Sequence, residues 1–154
     1  MNPSVSDRIE KQILIQAPRQ RVWRALTNIE EFASWFCVKA SGPFEPGQRV
    51  DMVSTHPCGN NAHFWLVVEA MTPETLFSWR WHPGSKPAGA NSDDEPSTLV
   101  EFRLEDADGG TRVTVSESGF DGLSLARRAK AFADNDRGWD IQMAALHQYA
   151  GSAS

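Results

Sequence analysis

The chain has 154 residues, of which 40% are hydrophobic and 23% charged, the size and composition of one globular domain. Its net charge of −5 argues against nucleic acid as a main partner. No apolar run approaches the ~20 residues of a membrane span. The N-terminus has no apolar signal core, and Cys37 and Cys58 do not make a disulfide framework, so we expect a cytoplasmic protein.

The first part of the chain predicts one strand followed by two short helices. Isoleucines at alternate positions predict a strand over residues 8–16. Pro18 suits the first turn of a helix that extends to Leu26. Asn28 can cap a second helix over residues 29–36, whose aromatic residues follow a helical spacing.

From residue 38 onward the apolar residues alternate, which predicts about six strands joined by turns in an antiparallel sheet. The better defined strands are predicted over residues 47–54, 62–71, 75–82, 98–105 and 111–118. The sequence DADGG, residues 106–110, is typical of a tight hairpin turn. The polar stretch 83–97 predicts a long hairpin loop, and loops of that length are usually functional or mobile.

The last stretch, residues 124–150, predicts a long helix. Gly138 and the polar residues 134–136 are poor helix formers, so a kink or a break is expected there. Residues 1–7 and 151–154 are expected to be disordered tails of a single domain, residues 1–154. The apolar stripe that would face the sheet consists of Leu125, Ala129, Phe132, Trp139, Met143, Leu146 and Ala150.

The simplest packing of these elements is an α+β domain in which the curved sheet wraps around the final helix. The inward strand positions and the facing residues of the helices then form either an ordinary filled core or an apolar cavity that binds a small molecule. The candidate lining residues are Trp35, Phe36, Val50, Met52, Phe64, Leu66, Phe77, Trp79, Trp81, Val100, Phe102, Glu117, Trp139 and Met143.

Glu117 is the most informative of these candidates, because it shares strand parity with Val113 and Val115 and should point inward. A carboxylate on an apolar face must be paired, hydrogen-bonded or protonated. It could anchor a ligand or act as a general acid or base at one end of the cavity. Alternatively, it bonds an indole N–H of Trp79, Trp81 or Trp139 or reaches solvent at the strand end, or a bulge at Gly119 turns it outward.

Other chemistry-bearing patterns are weaker. His56, Cys58 and His63 form an HxCx4H run, but a structural zinc needs four ligands, so we expect no metal and no cofactor. The chain has no GxSxG elbow and no phosphate-binding glycine loop, and no catalytic residue is assigned. Arg127, Arg128 and Lys130 form a small basic cluster, either a solvated helix face or a docking site for an acidic partner.

The order of elements resembles the helix-grip, START-like (SRPBCC) superfamily, and more narrowly the branch of the activator of heat-shock protein 90 ATPase homologue. The matching segments include IEKQILIQAPRQRVWRALTNIEEFASWF, VVEAMTPETLFSWRW, STLVEFRLE, GGTRVTVSESGF and NDRGWDIQMAALHQY. This superfamily hosts ligand binders, transfer proteins, ring cyclases and co-chaperone domains, so the fold alone does not select a function.

We therefore predict first a binding module for a small apolar or aromatic molecule. The alternative is a chaperone-associated or stress-response partner that acts through its surface, and the third is a small enzyme of the cyclase or hydrolase kind. An enzyme would need a second acid–base group beside Glu117, and the strand pattern offers none, since His63 and His82 have outward parity. A homodimer is the default expectation for a small soluble protein.

Overall fold

The computed structural model describes residues 8–55, 63–81, 97–123 and 125–152. Within them, one sheet and three helices follow the predicted order. The strands are β1 (Arg8–Ile15), β2 (Val38–Ala40), β3 (Arg49–Ser54), β4 (His63–Thr72), β5 (Leu76–Trp81), β6 (Thr98–Ala107) and β7 (Gly110–Ser118); the helices are α1 (Arg19–Thr27), α2 (Ile29–Phe36) and α3 (Leu125–Ser152). None of the helices in these ranges is long and apolar enough to cross a membrane.

All seven strands belong to one antiparallel sheet with the order β1-β7-β6-β5-β4-β3-β2. The sheet and α3 make the predicted helix-grip α+β fold. The DADGG turn is confirmed as a two-residue hairpin, in which Asp108 (φ 44°) and Gly109 (φ 79°) both have the positive φ that such a turn requires. The strand β2 is too short to have shown an alternating pattern of its own.

The two short helices follow the predicted signals closely. The side chain of Asn28 accepts a hydrogen bond from the backbone N–H of Glu31 at 3.0 Å, so it caps α2 as expected. Pro18 precedes α1 as its N-cap rather than lying in its first turn. The helix α2 ends at Cys37, which adopts the left-handed conformation (φ 59°).

The break expected in α3 is not found, because the helix continues through residues 134–138 without interruption. Its polar residues there make contacts that favour the helix. Asp134 accepts from Lys130 at 2.8 Å, one turn earlier, and Asp136 pairs with Lys11 of β1 at 2.9 Å. The helix also extends through Ser152, two residues into the stretch that was expected to be a tail.

Among the side chains of α3 that the structure describes, which do not include Leu125, the buried face differs from the predicted stripe at Ala129. Ala129 is exposed, and Ala131 is buried in its place. Trp139, Met143 and Leu146 are buried as predicted, and they cover the inner face of the sheet. The core therefore lies between α3, the concave sheet face and the α1–α2 pair.

The predicted loop over residues 83–97 falls almost wholly on residues 82–96, which lie outside the described residues, as do residues 56–62.

Candidate functional site

Glu117 lies inside the molecule, with none of its surface exposed. The pairing of β7 with β6 stays in register through Ser118, and Gly119 (φ 100°) only then begins the following turn. The predicted inward direction is therefore confirmed, and the alternative of a bulge that turns the side chain outward is wrong.

The carboxylate of Glu117 accepts hydrogen bonds from four neutral side chains. The indole Nε1 of Trp139 donates to Oε1 at 2.8 Å, and the indole Nε1 of Trp81 donates to Oε2 at 2.8 Å. The Thr98 hydroxyl donates to Oε2 at 2.5 Å, and the Asn135 amide donates to both oxygens at 2.9 and 3.0 Å. Such a network lowers the cost of burying a carboxylate, because every oxygen has donors.

These donors come from different parts of the fold. Trp81 ends β5, Thr98 begins β6, and Asn135 and Trp139 lie one turn apart on α3. The carboxylate thus joins three neighbouring strands to the helix that covers them. The sequence analysis named the indoles of Trp79, Trp81 and Trp139 as alternative partners for Glu117, and Trp81 and Trp139 both bond it. It missed Asn135 and Thr98, although the spacing of four between Asn135 and Trp139 places both on one helix face.

Around this carboxylate the predicted aromatic residues form one continuous cluster. The ring of Trp79 is its centre, with ring centroids of Phe77, Trp81 and Phe102 at 5.4 to 5.5 Å. The ring of Trp139 lies 5.9 Å from that of Trp81 and 5.6 Å from that of Phe102. These ring contacts join the inner face of the sheet to α3.

At one end of the cluster, Phe64 and Trp81 are half-buried and so partly accessible to solvent. Their ring centroids lie 6.0 Å apart, and the ring of Phe36 lies 6.3 Å from that of Trp81. We call these three rings the aromatic corner. Because the N–H of Trp81 bonds Glu117, the corner directly contacts the buried carboxylate.

The other predicted lining residues lie around the same interior. Trp35 differs, since it is buried between α1 and α2 and its indole N–H donates to the carbonyl of Ala25 at 2.8 Å. The remaining ones are fully or almost fully buried: Val50, Met52, Leu66, Phe77, Val100, Phe102 and Met143.

The indole N–H of Trp79 is buried and has no hydrogen-bond acceptor among the described residues. Buried donors are nearly always paired with protein, water or ligand. The sequence analysis considered Trp79 as a third partner for Glu117, and the geometry does not place it there. This N–H is therefore a donor within the aromatic cluster that a bound molecule could use.

A second carboxylate network joins the three helices. Glu31 of α2 accepts from Arg21 at 2.5 Å and from Tyr149 at 3.1 Å, and it pairs with Arg24 at 2.9 Å. The guanidinium of Arg21 also lies over the Tyr149 ring, 5.1 Å from its centroid. Burial alone would raise the pKa of Glu31, but the hydrogen bonds from Arg21 and Tyr149 and the charges of both arginines hold it below its usual value.

The remaining candidates are not part of these networks. His56, Cys58 and His82 lie outside the described residues, and His63 is an exposed residue at the start of β4. Within the part of the chain that the structure describes, no group of three or more histidine, cysteine, aspartate or glutamate side chains could hold a metal ion. Lys130 of the basic cluster bonds Asp134.

The comparisons with known proteins assign the family. Residues 16–151 match the family model described as Activator of Hsp90 ATPase homolog 1-like protein. The chain belongs to this family. No curated protein matches the chain.

Solved structures agree with the family's helix-grip fold. The protein MLL2253 from Mesorhizobium loti is 20% identical with a TM-score of 0.75, over 96% of this chain and 98% of that one. A dimeric Aha1 from Colwellia psychrerythraea is 19% identical with a TM-score of 0.70, over 94% and 96%. DynU16, from the dynemicin biosynthetic locus, is 23% identical with a TM-score of 0.71 and covers 93% of this chain and 46% of its own. At these identities the likeness shows the fold.

Proposed function

We propose that this family member is a binding module for a small apolar or aromatic molecule. The observation that carries the proposal is the aromatic corner: two half-buried rings, Phe64 and Trp81, adjoin a fully buried carboxylate through one indole N–H. Small-molecule sites typically combine aromatic lining with a few placed polar groups. The corner has that composition.

The unpaired N–H of Trp79 supports the same function. It lies within the cluster, since the Trp79 ring is 5.5 Å from that of Trp81. A ligand that enters past Trp81 and carries an acceptor would satisfy this donor. Because Glu117 has no exposed surface, we expect a ligand to reach it only when the half-buried rings move.

An enzyme of the cyclase or hydrolase kind is less well supported. The four groups that bond Glu117 are two indoles, a hydroxyl and an amide, and none of them is a general acid or base at neutral pH. Glu117 therefore has no acid–base partner among the described side chains, which favours binding over chemistry.

The chaperone-associated alternative rests on the family description, which names an activator of the Hsp90 ATPase. The surface feature that favoured this alternative was the basic cluster in the first turns of α3. There Lys130 bonds Asp134, and a guanidinium nitrogen of Arg128 lies 3.4 Å from the carbonyl oxygen of Leu123. Arg128 and Lys130 thus make contacts within their own chain, and we rank this function second.

Native mass spectrometry of the freshly purified protein tests binding most simply. We expect a reproducible excess of mass that is released on denaturation. The same spectrum gives the oligomeric state, for which we expect a homodimer, the state named for the Colwellia protein. An absence of excess mass leads to the second test, with a defined probe.

The second test is a titration with benzyl alcohol, followed by NMR of the indole N–H signals. We expect the signal of Trp81 to shift, and we expect Phe64→Ser to weaken binding several-fold. Trp65→Ser is the matched control, because Trp65 is the next residue of β4, is also half-buried, and points to the outer face under Arg49. No mass excess together with no shift of Trp81 would overturn the proposed function.

A further inference from the structure

We infer that the ligand of the aromatic corner carries a methylated ammonium group, a compact organic cation without N–H donors of its own. This inference rests on the proposed function and adds the chemical class of the ligand. Three observations support it: the charge of Glu117 beside the corner, the hydrogen bonds that occupy the oxygens of Glu117, and the aromatic rings of the corner.

The first step is the charge. Every contact described for Glu117 has the side chain accepting, from two indoles, a hydroxyl and an amide, the pattern expected of a charged carboxylate. All four donors are neutral. Lys11 lies nearby on β1, two residues after Ile9, the partner of Glu117, but its ammonium bonds Asp136 at 2.9 Å and Asp140 at 3.1 Å. A ligand cation near Trp81 would therefore meet a negative potential.

The second step concerns the rings. Two indoles donate to Glu117 at 2.8 Å, and a hydrogen bond to an anion pushes electron density back into the donor ring. Such rings attract cations over their faces more strongly. Trp81 is the half-buried member of the pair, and Phe64 and Phe36 lie at 6.0 and 6.3 Å from it. The ring planes of Phe64 and Phe36 lie at 74° and 51° to that of Trp81, and several rings inclined to one another are typical of an aromatic cage.

The third step selects the kind of cation. The carboxylate accepts five hydrogen bonds, whereas its two oxygens offer about four lone-pair sites. A primary ammonium would have to displace one of these donors to satisfy its own N–H groups. A quaternary ammonium has no N–H group, so it can bind against the rings while the network stays intact. The corner is thus better suited to a methylated ammonium than to a primary amine.

The test compares choline with its uncharged isostere, in which a tert-butyl group replaces the trimethylammonium group, and with ethanolamine. Binding is followed by the Trp81 indole signal in NMR titrations at constant ionic strength. We expect choline to bind about tenfold or more tightly than either, the factor that a partly desolvated cation–π contact provides. Phe64→Leu should remove most of that preference, and the control Trp65→Leu should preserve it.

Glu117→Gln removes the negative charge and so tests its contribution to binding. This variant should reduce the preference for choline over the isostere at least several-fold. If the variant does not fold, Phe64→Leu and the ligand comparison still decide. Equal or tighter binding of the isostere, or of ethanolamine, would overturn the inference. Binding of benzyl alcohol without binding of choline would overturn this inference and leave the proposed function standing, whereas failure of both ligands together with no excess of mass would overturn both.

Discussion

Two glutamates of this domain join helices to their surroundings by opposite means. Glu117 is fully buried and is held only by neutral donors, two of them indoles that also fill the core. Glu31 retains 20% exposure of its side chain and is held by Arg21, Arg24 and Tyr149. At the partly exposed Glu31, charged arginine side chains can pair with the carboxylate because water still solvates part of the site. In the dry interior, aromatic N–H groups provide polarity without the desolvation cost of a second charge.

The largest expected effect in this comparison is that of Trp139→Ala. It removes a buried ring and one donor to Glu117, so the free energy of unfolding should fall by ~3–5 kcal/mol in chemical denaturation. Trp139→Phe is the comparison variant, since it keeps a smaller ring while it removes the N–H and part of the indole, and it should lose about half as much. A loss below about 1 kcal/mol for the alanine variant would show that Trp139 is not central to the core.

Glu117→Gln should still fold, but with a loss of about 3 kcal/mol in the free energy of unfolding. The new amide turns N–H groups toward donors and leaves at least one buried indole or hydroxyl without an acceptor. Denaturation at neutral pH measures the loss. A stability equal to that of the wild type would contradict the dependence of this network on two acceptor oxygens.

Glu31→Gln should cost less, about 1–2 kcal/mol at neutral pH, because the site is partly wet. The pKa of Glu31 lies below its usual value, so its contribution is present above the unfolded pKa and is lost as pH falls through the folded pKa. The difference between wild type and variant should therefore shrink below about pH 4.5. A difference that is constant down to about pH 3 would rule out the charged network as its source.

Lys11→Met should have the smallest effect, under about 1 kcal/mol, because its pairs with Asp136 and Asp140 lie near the surface. The hydrogen bond to Asp136 is the main cause that raises the pKa of Lys11. A raised lysine pKa contributes stability below the unfolded pKa, and the contribution is lost as pH rises through the folded one. Unfolding measured from about pH 8 to about pH 11 should show the two proteins converging at the alkaline end.

Most of the fold was predictable because its signals are local. The alternating residues of β6 and β7, the cap of Asn28 and the DADGG turn each specify their own element. The break in α3 was predicted wrongly for the same reason. The propensities of residues 134–138 are poor, but Lys11 of a distant strand and Lys130 bond the aspartates there.

The candidate site was predictable only in part. Strand parity sufficed to place Glu117 inside, on the side of the sheet where Trp79, Trp81 and Trp139 could reach it. Parity cannot tell which indole reaches the carboxylate, because Trp79 and Trp81 share one face of β5 and only Trp81 bonds it. The role of Asn135 depends on the rotation of α3 against the sheet, which no local pattern specifies.

The most direct test of the account is the NMR spectrum of the tryptophan indole N–H groups in the wild type and in Glu117→Gln. The central claim is that Trp81 and Trp139 donate to one buried carboxylate. We predict that in the wild type these two signals lie downfield of the others, and that both move upfield in the variant while the signal of Trp35, bonded to a backbone carbonyl, stays in place. Unchanged positions of Trp81 and Trp139 in a folded variant would contradict the claim.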